Sequence, residues 1–212
     1  MKRCAFCGHE TTEHICPKCG GPQPVDPSEN YFSLLGVERA FQQDLPSLEK
    51  KFYDISRTLH PDRFAAGTDS KWKVISVERM SAVNKAYQTL TKRDSLRRYL
   101  LELEGVSLGR KEKAEGDSSN PVMPMELAEE WFDLQDAVME NPESALARIS
   151  AFERGIRERS DELKSRVSFL ENEYDANASR EALLKIDKLV LDGQYLKSMD
   201  RDLIRLKSRL GI

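Results

Sequence analysis

The apolar residues of this 212-residue chain recur every three or four positions over most of its length. That spacing places them along one side of a helix, where they can be buried together while the other sides face water. The stretches that lack the spacing are short and rich in Gly, Pro, Ser or charge. The pattern therefore predicts an all-α protein.

One helix with a well-defined end is predicted over residues 44–59. Asp44 can cap its first turn, and its apolar stripe consists of Leu48, Phe52, Ile55 and Leu59. Pro61 lacks a backbone donor and pushes His60 out of α geometry, so the helix must end there. The helix thus delivers His60 and Asp62 at an exposed polar turn. Three basic residues lie off the stripe and are expected to face water: Lys50, Lys51 and Arg57.

A second amphipathic helix is predicted over 71–91, followed by a shorter one over 96–103. The buried side of the longer helix should consist of Trp72, Ile75, Met80, Val83, Tyr87 and Leu90. The stretch 105–124 has no sustained period and is rich in Gly, Ser, Pro and charge, which indicates a boundary.

Three more helices are predicted after this boundary, and they suggest an antiparallel bundle. The first, 125–140, carries six acids and no Lys or Arg, and its stripe is Leu127, Trp131, Leu134 and Val138. Asn141 is expected to cap the second helix, whose stripe extends as far as Tyr174. The third should span 179–210.

All four cysteines lie within the first nineteen residues, as two pairs with two residues between the thiols of each pair: Cys4, Cys7, Cys16 and Cys19. Such pairs resemble zinc knuckles, and four thiolates would close a tetrahedral, structural zinc site. A redox pair is the alternative, although no βαβ pattern surrounds either motif. His9 and His14 are expected to be exposed loop residues, and 20–28 a linker that tethers the zinc module.

Charge and composition limit the classes of function. The net charge is -3, which favours neither a generic nucleic-acid binder nor a membrane-surface protein. The halves differ: residues 29–101 carry a net charge of +4 and residues 121–212 one of -5. No apolar run approaches the length of a membrane span, and no signal segment is found, so a soluble cytoplasmic protein is expected.

The His60-Pro61-Asp62 turn stands between elements that match a known pattern. Asn30-Tyr31-Phe32, with Leu34, Leu35 and Gly36, matches a short opening helix, and 81–90 (SAVNKAYQTL) matches a long third helix. Residues 29–101 therefore resemble a J domain, the part of DnaJ-type co-chaperones that stimulates ATP hydrolysis by a DnaK-type chaperone. The resemblance implies that this ATPase is contacted by His60, Pro61, Asp62, Lys50, Lys51, Arg57 and Arg63.

The order of HPD, NKAYQTL, YLLELEG and an acidic helix is similar to the HscB-type co-chaperones, some of which carry an N-terminal double CxxC. The similarity implies three parts: a zinc segment (1–24), a J domain (29–104) and a three-helix domain (121–212). The last would bind an iron-sulfur scaffold of the IscU type and present it to a DnaK/HscA-type ATPase. Scaffold-contacting positions align with Met125, Glu129, Asp136 and Tyr195, whereas Pro124, Ala128 and Phe132 depart from the family pattern.

Two other classes of function stay open. A J protein could serve a different client, and a zinc module could act as an interaction or nucleic-acid module, although residues 1–24 hold few basic or aromatic residues. An enzyme is not expected, because an acid-base pair at His60 and Asp62 would need a pocket and a third group to orient it, and His60 is the only histidine outside the zinc segment.

Overall fold

The computed structural model describes residues 2–64, 70–106 and 125–212, apart from the side chain of Ser70. The chain divides into two compact units, Met1–Leu100 and Leu101–Ile212. The boundary predicted over 105–124, including Pro124, lies outside the described residues except at 105 and 106. Within the described part, seven helices and one small two-stranded sheet confirm the predicted all-α class.

The N-terminal unit opens with the sheet, in which β1 (Lys2–Arg3) pairs antiparallel with β2 (Glu10–Thr11). Four helices follow: α1 (Tyr31–Leu35), α2 (Leu45–Leu59), α3 (Ser70–Leu90) and α4 (Arg93–Leu103), the last of which crosses into the second unit. Helix α1 is fixed at its start by a capping box between Asn30 and Ser33.

Helix α2 has the predicted limits. The Asp44 carboxylate accepts a hydrogen bond from the Ser47 amide at 3.4 Å, and a short 3-10 turn (Pro61–Phe64) follows His60. The apolar stripe of α2 faces α3, because Phe52 stacks on Tyr87 with ring centroids 4.1 Å apart.

The buried side of α3 is partly different from the prediction. Val83 and Leu90 are buried as expected, but Trp72, Ile75, Met80 and Tyr87 are only half-buried. Their places are taken by Ser76, Arg79 and Ala86, which are at most 2% exposed. The prediction failed here because α3 packs against more than α2, and the buried contacts that Ser76 and Arg79 make with these other segments are polar.

The second unit contains α5 (Met125–Glu140), α6 (Leu146–Asn177) and α7 (Arg180–Leu210). The predicted α5 stripe is buried throughout, together with apolar residues of α6 and α7 that include Ile149, Phe152, Ile156, Leu196, Met199 and Leu203. Asn141 does not cap α6; its Oδ1 accepts from the Glu143 and Ser144 amides, in a turn that delays the helix to Leu146. Among the described helices, none is both long and apolar enough to cross a membrane.

Candidate metal centre, HPD turn and α5 surface

The four cysteines converge on one point. Their Sγ atoms all lie within 4.8 Å of one another, with Cys4 and Cys19 3.6 Å apart and Cys7 and Cys16 3.7 Å apart. A tetrahedral ion with metal-sulfur bonds of about 2.3 Å separates its sulfurs by roughly 3.8 Å. Four thiols at this spacing fit a closed tetrahedral metal site.

The backbone around each pair positions the thiols. Gly8 and Gly20 follow the pairs with φ near +70°, and their amides donate to the carbonyls of Cys4 and Cys16. Burial raises the pKa of the Cys4 thiol, but hydrogen bonds from the backbone amides of Phe6 and Cys7 and from the Cys19 and Cys16 thiols together lower it to about 6. The Cys4 thiolate, the form that binds metal, is therefore favoured.

The segment 20–28 packs against α3 and is not a free linker. Arg79, only 2% exposed, donates to the carbonyls of Gln23 and Pro24 and to the Glu29 carboxylate. The Gln23 amide nitrogen in turn donates to Cys4 Sγ at 3.4 Å. The buried guanidinium and the cysteine cluster thus belong to one hydrogen-bond network.

His14 also contradicts the prediction of an exposed loop residue. It is half-buried, and its Nδ1 accepts a hydrogen bond from Arg79 Nε at 2.7 Å. Burial, together with the charge of Arg79, lowers the pKa of His14 to about 4. His14 is therefore a neutral acceptor for Arg79. His9 is exposed, as expected.

The HPD turn is displayed to solvent at the end of α2. The side chains of His60 and Asp62 are 61% and 86% exposed, and the Asp62 amide donates to His60 Nδ1 at 3.3 Å. The Arg63 amide donates to the His60 carbonyl at 3.0 Å, which closes the turn. The turn is therefore hydrogen-bonded within itself while its His60 and Asp62 side chains stay exposed.

The basic residues predicted to accompany this turn differ in exposure. Lys50, Arg57 and Arg63 are exposed, as expected. Lys51 is half-buried and its ammonium donates to the Gly36 carbonyl, so it does not face water freely. Lys51 therefore keeps its charge, but its ammonium is directed toward Gly36.

Helix α5 carries an exposed apolar stripe opposite its buried one. Met125, Phe132 and Met139 recur every seven residues and are 77%, 62% and 82% exposed. Glu129 and Asp136 are exposed between them. We call these five residues the α5 surface; its residues Phe132 and Met139 were missed as candidate site residues, although their spacing from Met125 could have indicated them.

Tyr195 on α7 is half-buried and lies at a cavity of about 210 Å³ that is also lined by Glu126 and Leu127 of α5. Burial, and to a lesser extent Asp192, raises the pKa of Tyr195. Its hydroxyl is buried without a hydrogen-bond partner in the part of the chain that the structure describes. The fold therefore brings Tyr195 close to the first turn of α5.

Known proteins share both sequence and fold with this chain. The iron-sulfur cluster co-chaperone protein HscB of Mus musculus is 31% identical over 185 residues, which cover 80% of this chain and 79% of that protein. The chain belongs to the HscB family of iron-sulfur cluster co-chaperones. The human HscB is 29% identical over 185 residues, covering 80% of this chain and 78% of its own length. The HscB homolog of Arabidopsis thaliana is 33% identical over 141 residues, covering 66% of this chain and 52% of its own length.

Solved structures of HscB proteins have the same fold. The crystal structure of human co-chaperone HscB superposes with a TM-score of 0.63 at 22% identity, covering 97% of this chain and 98% of that one. The chaperone HscB from Vibrio cholerae gives a TM-score of 0.51 at 22% identity, over 86% and 99% of the two chains. A search of protein-family models gave no match.

Proposed function

We propose that this HscB-family chain binds an iron-sulfur scaffold of the IscU type and presents it to a DnaK/HscA-type chaperone, whose ATP hydrolysis it stimulates. The observation that carries the proposal is the exposed, hydrogen-bonded HPD turn at the end of α2, on which Lys50 and Arg57 are exposed. On this proposal the chain supplies contacts and the partner supplies the ATP chemistry. Residues 1–24, 29–104 and 121–212 act as zinc segment, J domain and scaffold-binding domain.

The chaperone contact uses charge complementarity. Lys50, Arg57 and Arg63 would steer the turn toward an acidic surface, and Asp62 would pair with a basic side chain of the ATPase. Lys51 would contribute less, since its ammonium is held by the Gly36 carbonyl.

The scaffold contact uses the α5 surface and Tyr195. Exposed methionines and an aromatic ring supply apolar contact area, and the two carboxylates between them fix the register of the partner. A scaffold that fits this stripe presents apolar side chains flanked by Lys or Arg. The proposed scaffold surface is therefore defined by both its apolar side chains and its positive charge.

The metal at Cys4, Cys7, Cys16 and Cys19 is proposed to be zinc in a structural role. The sulfur spacing supports a closed four-thiolate shell, which has no open position for a substrate. Metal analysis of the purified chain should find zinc that is lost when Cys4 and Cys19 are both replaced by Ser.

The decisive experiment measures ATP hydrolysis by a DnaK/HscA-type chaperone with this chain, with and without an IscU-type scaffold. The His60→Gln variant should lose nearly all stimulation, whereas His9→Gln, a matched change at an exposed histidine, should stimulate like the parent chain. Equal stimulation by the parent and His60→Gln would refute the proposed role of the turn.

Scaffold binding is measured separately, by calorimetry with a purified IscU-type protein. Phe132→Ala, or Glu129→Ala combined with Tyr195→Ala, should raise the Kd about tenfold or more, as expected for residues at the centre of an interface. The control is Phe169→Ala on α6, where the ring is 69% exposed outside the α5 surface. A scaffold that does not bind, or binds all variants equally, would favour a J protein for a different client.

A further inference from the structure

One side of helix α3 is shared by the HPD turn and the cysteine cluster. Trp72, Ser76 and Arg79 lie four and three residues apart, which places them in a row along the helix. Ser76 is fully buried and Arg79 is 2% exposed. Ser76 contacts the turn, Arg79 contacts the segment beside the cluster, and Trp72 contacts both.

Toward the turn, α3 holds both ends of the HPD motif. The Ser76 hydroxyl donates to the carbonyl of Leu59, the residue before His60. On the other end, the Trp72 ring packs edge-on against Phe64, with centroids 6.3 Å apart, and Phe64 is only 8% exposed. Trp72 therefore packs against the last residue of the 3-10 turn.

Toward the cluster, the same Trp72 ring meets Phe6, which lies between Cys4 and Cys7. The two ring centroids are 5.4 Å apart. Gly21 leaves the space for this pair: a Cβ at Gly21 would lie 2.7 Å from a Phe6 ring carbon and 3.1 Å from a Trp72 ring carbon. Phe6, Trp72 and Phe64 thus form a continuous series of ring contacts from the first cysteine pair to the HPD turn.

We propose that Phe6 and Trp72 are positioning residues through which the four-cysteine centre holds the HPD turn in place. The proposal rests on the proposed function only in the claim that the turn acts on a chaperone. A metal bound by Cys4 and Cys7 would fix the backbone on both sides of Phe6, and the ring would transmit that constraint to Trp72. About two turns further along α3, Arg79 donates hydrogen bonds to the carbonyls of Gln23 and Pro24 in the segment that follows the cysteines.

The test follows amide hydrogen exchange of the zinc-loaded full chain by NMR, at the Arg63 amide that closes the turn. Phe6→Ala should accelerate exchange about two- to tenfold, the range for losing one aromatic pair, and Phe6→Tyr should restore the slow rate. Gly21→Ala should accelerate it as well, because the added methyl displaces the rings. Gly155→Ala, whose Cβ would meet its nearest neighbour at 3.6 Å, is the matched control without effect.

Removing the metal with a chelator distinguishes positioning from general loss of stability. Chelation should accelerate Arg63 exchange in the parent chain but add little in Phe6→Ala, because both changes break the same series of contacts. Unchanged Arg63 exchange in Phe6→Ala, equal damage by Phe6→Tyr, or fully additive effects of chelation and Phe6→Ala would each overturn the proposal.

The chaperone assay completes the test. Phe6→Ala should lower stimulation of the ATPase severalfold, and Phe6→Tyr should recover it. If the parent chain does not stimulate at all, the proposed function fails, and the exchange rates at Arg63 still decide whether the cluster holds the turn.

Discussion

Both units of this chain bury apolar side chains, but the N-terminal unit also buries most of the buried polar and charged ones. The core of the C-terminal bundle is a cluster of apolar residues at helical spacing. Of the five buried polar or charged residues in the described part of the chain, four lie in the N-terminal unit: Thr11, Gln23, Ser76 and Arg79. A helix packed only on helices can be understood from its apolar period, whereas α3 also packs on a loop-rich segment whose backbone groups require polar partners.

The comparison can be tested unit by unit because each unit contains one of the two tryptophans, Trp72 and Trp131. In a Trp131→Phe background, fluorescence reports on the N-terminal unit. In a Trp72→Phe background, it reports on the bundle. The free energy of unfolding of each unit is then measured by urea titration.

The largest effect is expected at Arg79. Arg79→Met should destabilise the N-terminal unit by about 3–5 kcal/mol, because it leaves Glu29 and two backbone carbonyls without their buried donor. Arg205→Met, which removes an ion pair whose arginine side chain is 75% exposed, should change stability by less than about 0.5 kcal/mol. If both variants lost a similar free energy of unfolding, the buried Arg79 network would not stabilise its unit more than an exposed ion pair does.

A loss of about 3 kcal/mol is expected in the bundle for Leu203→Ala, because Leu203 is 1% exposed and its truncation leaves a cavity. The neighbouring Ile204 is 58% exposed, so Ile204→Ala should cost no more than about 0.5 kcal/mol. The urea midpoint followed at Trp131 measures both. Equal costs would mean that the apolar period does not define the bundle core.

Acid should destabilise the N-terminal unit before the bundle. The folded pKa of His14 is about 4, below its usual 6.5, so the stability that depends on neutral His14 is complete above pH 6.5 and is lost as the pH falls toward 4. We expect a loss of about 1–3 kcal/mol over this window, followed at Trp72. The pKa of Glu29 is also lowered, by its bonds to Arg79 despite burial, so its protonation adds to the loss at still lower pH.

Two controls make this pH test specific. Zinc content is measured at each pH, because protons also compete for the thiolates. The His14→Gln variant, which keeps an acceptor without the titration, should show a flatter profile between pH 6.5 and 4. An unchanged profile in the variant would remove His14 as the cause.

The smallest expected effect is a gain at the end of α6. Ala178 has a φ of +51°, a left-handed conformation that favours glycine. Ala178→Gly should therefore stabilise the bundle by about 0.5–1 kcal/mol. Ala151→Gly, on the exposed side of the same helix, should destabilise it by about 1 kcal/mol, and two changes of equal sign would contradict this interpretation.

Much of the architecture was predictable from local patterns. The limits of α2 and α5 and the buried stripe of α5 follow from capping residues, Pro61 and the apolar period. The predicted start of α6 was wrong because the Asn141 side chain accepts hydrogen bonds from the amides of a turn that precedes the helix. At the candidate sites, the four thiols converge as their spacing indicates, whereas the half-burial of Lys51 depends on the distant Gly36 carbonyl.

The sequence by itself determined most of the helices, the HPD turn and the two CxxC motifs, because each depends on residues a few positions apart. Only the tertiary structure decided that Arg79 is buried, that His14 is its acceptor, and that Phe6 reaches Trp72. These contacts join residues up to 66 positions apart in the sequence, and no local period records them. They depend on which surfaces remain to be covered once the helices have packed.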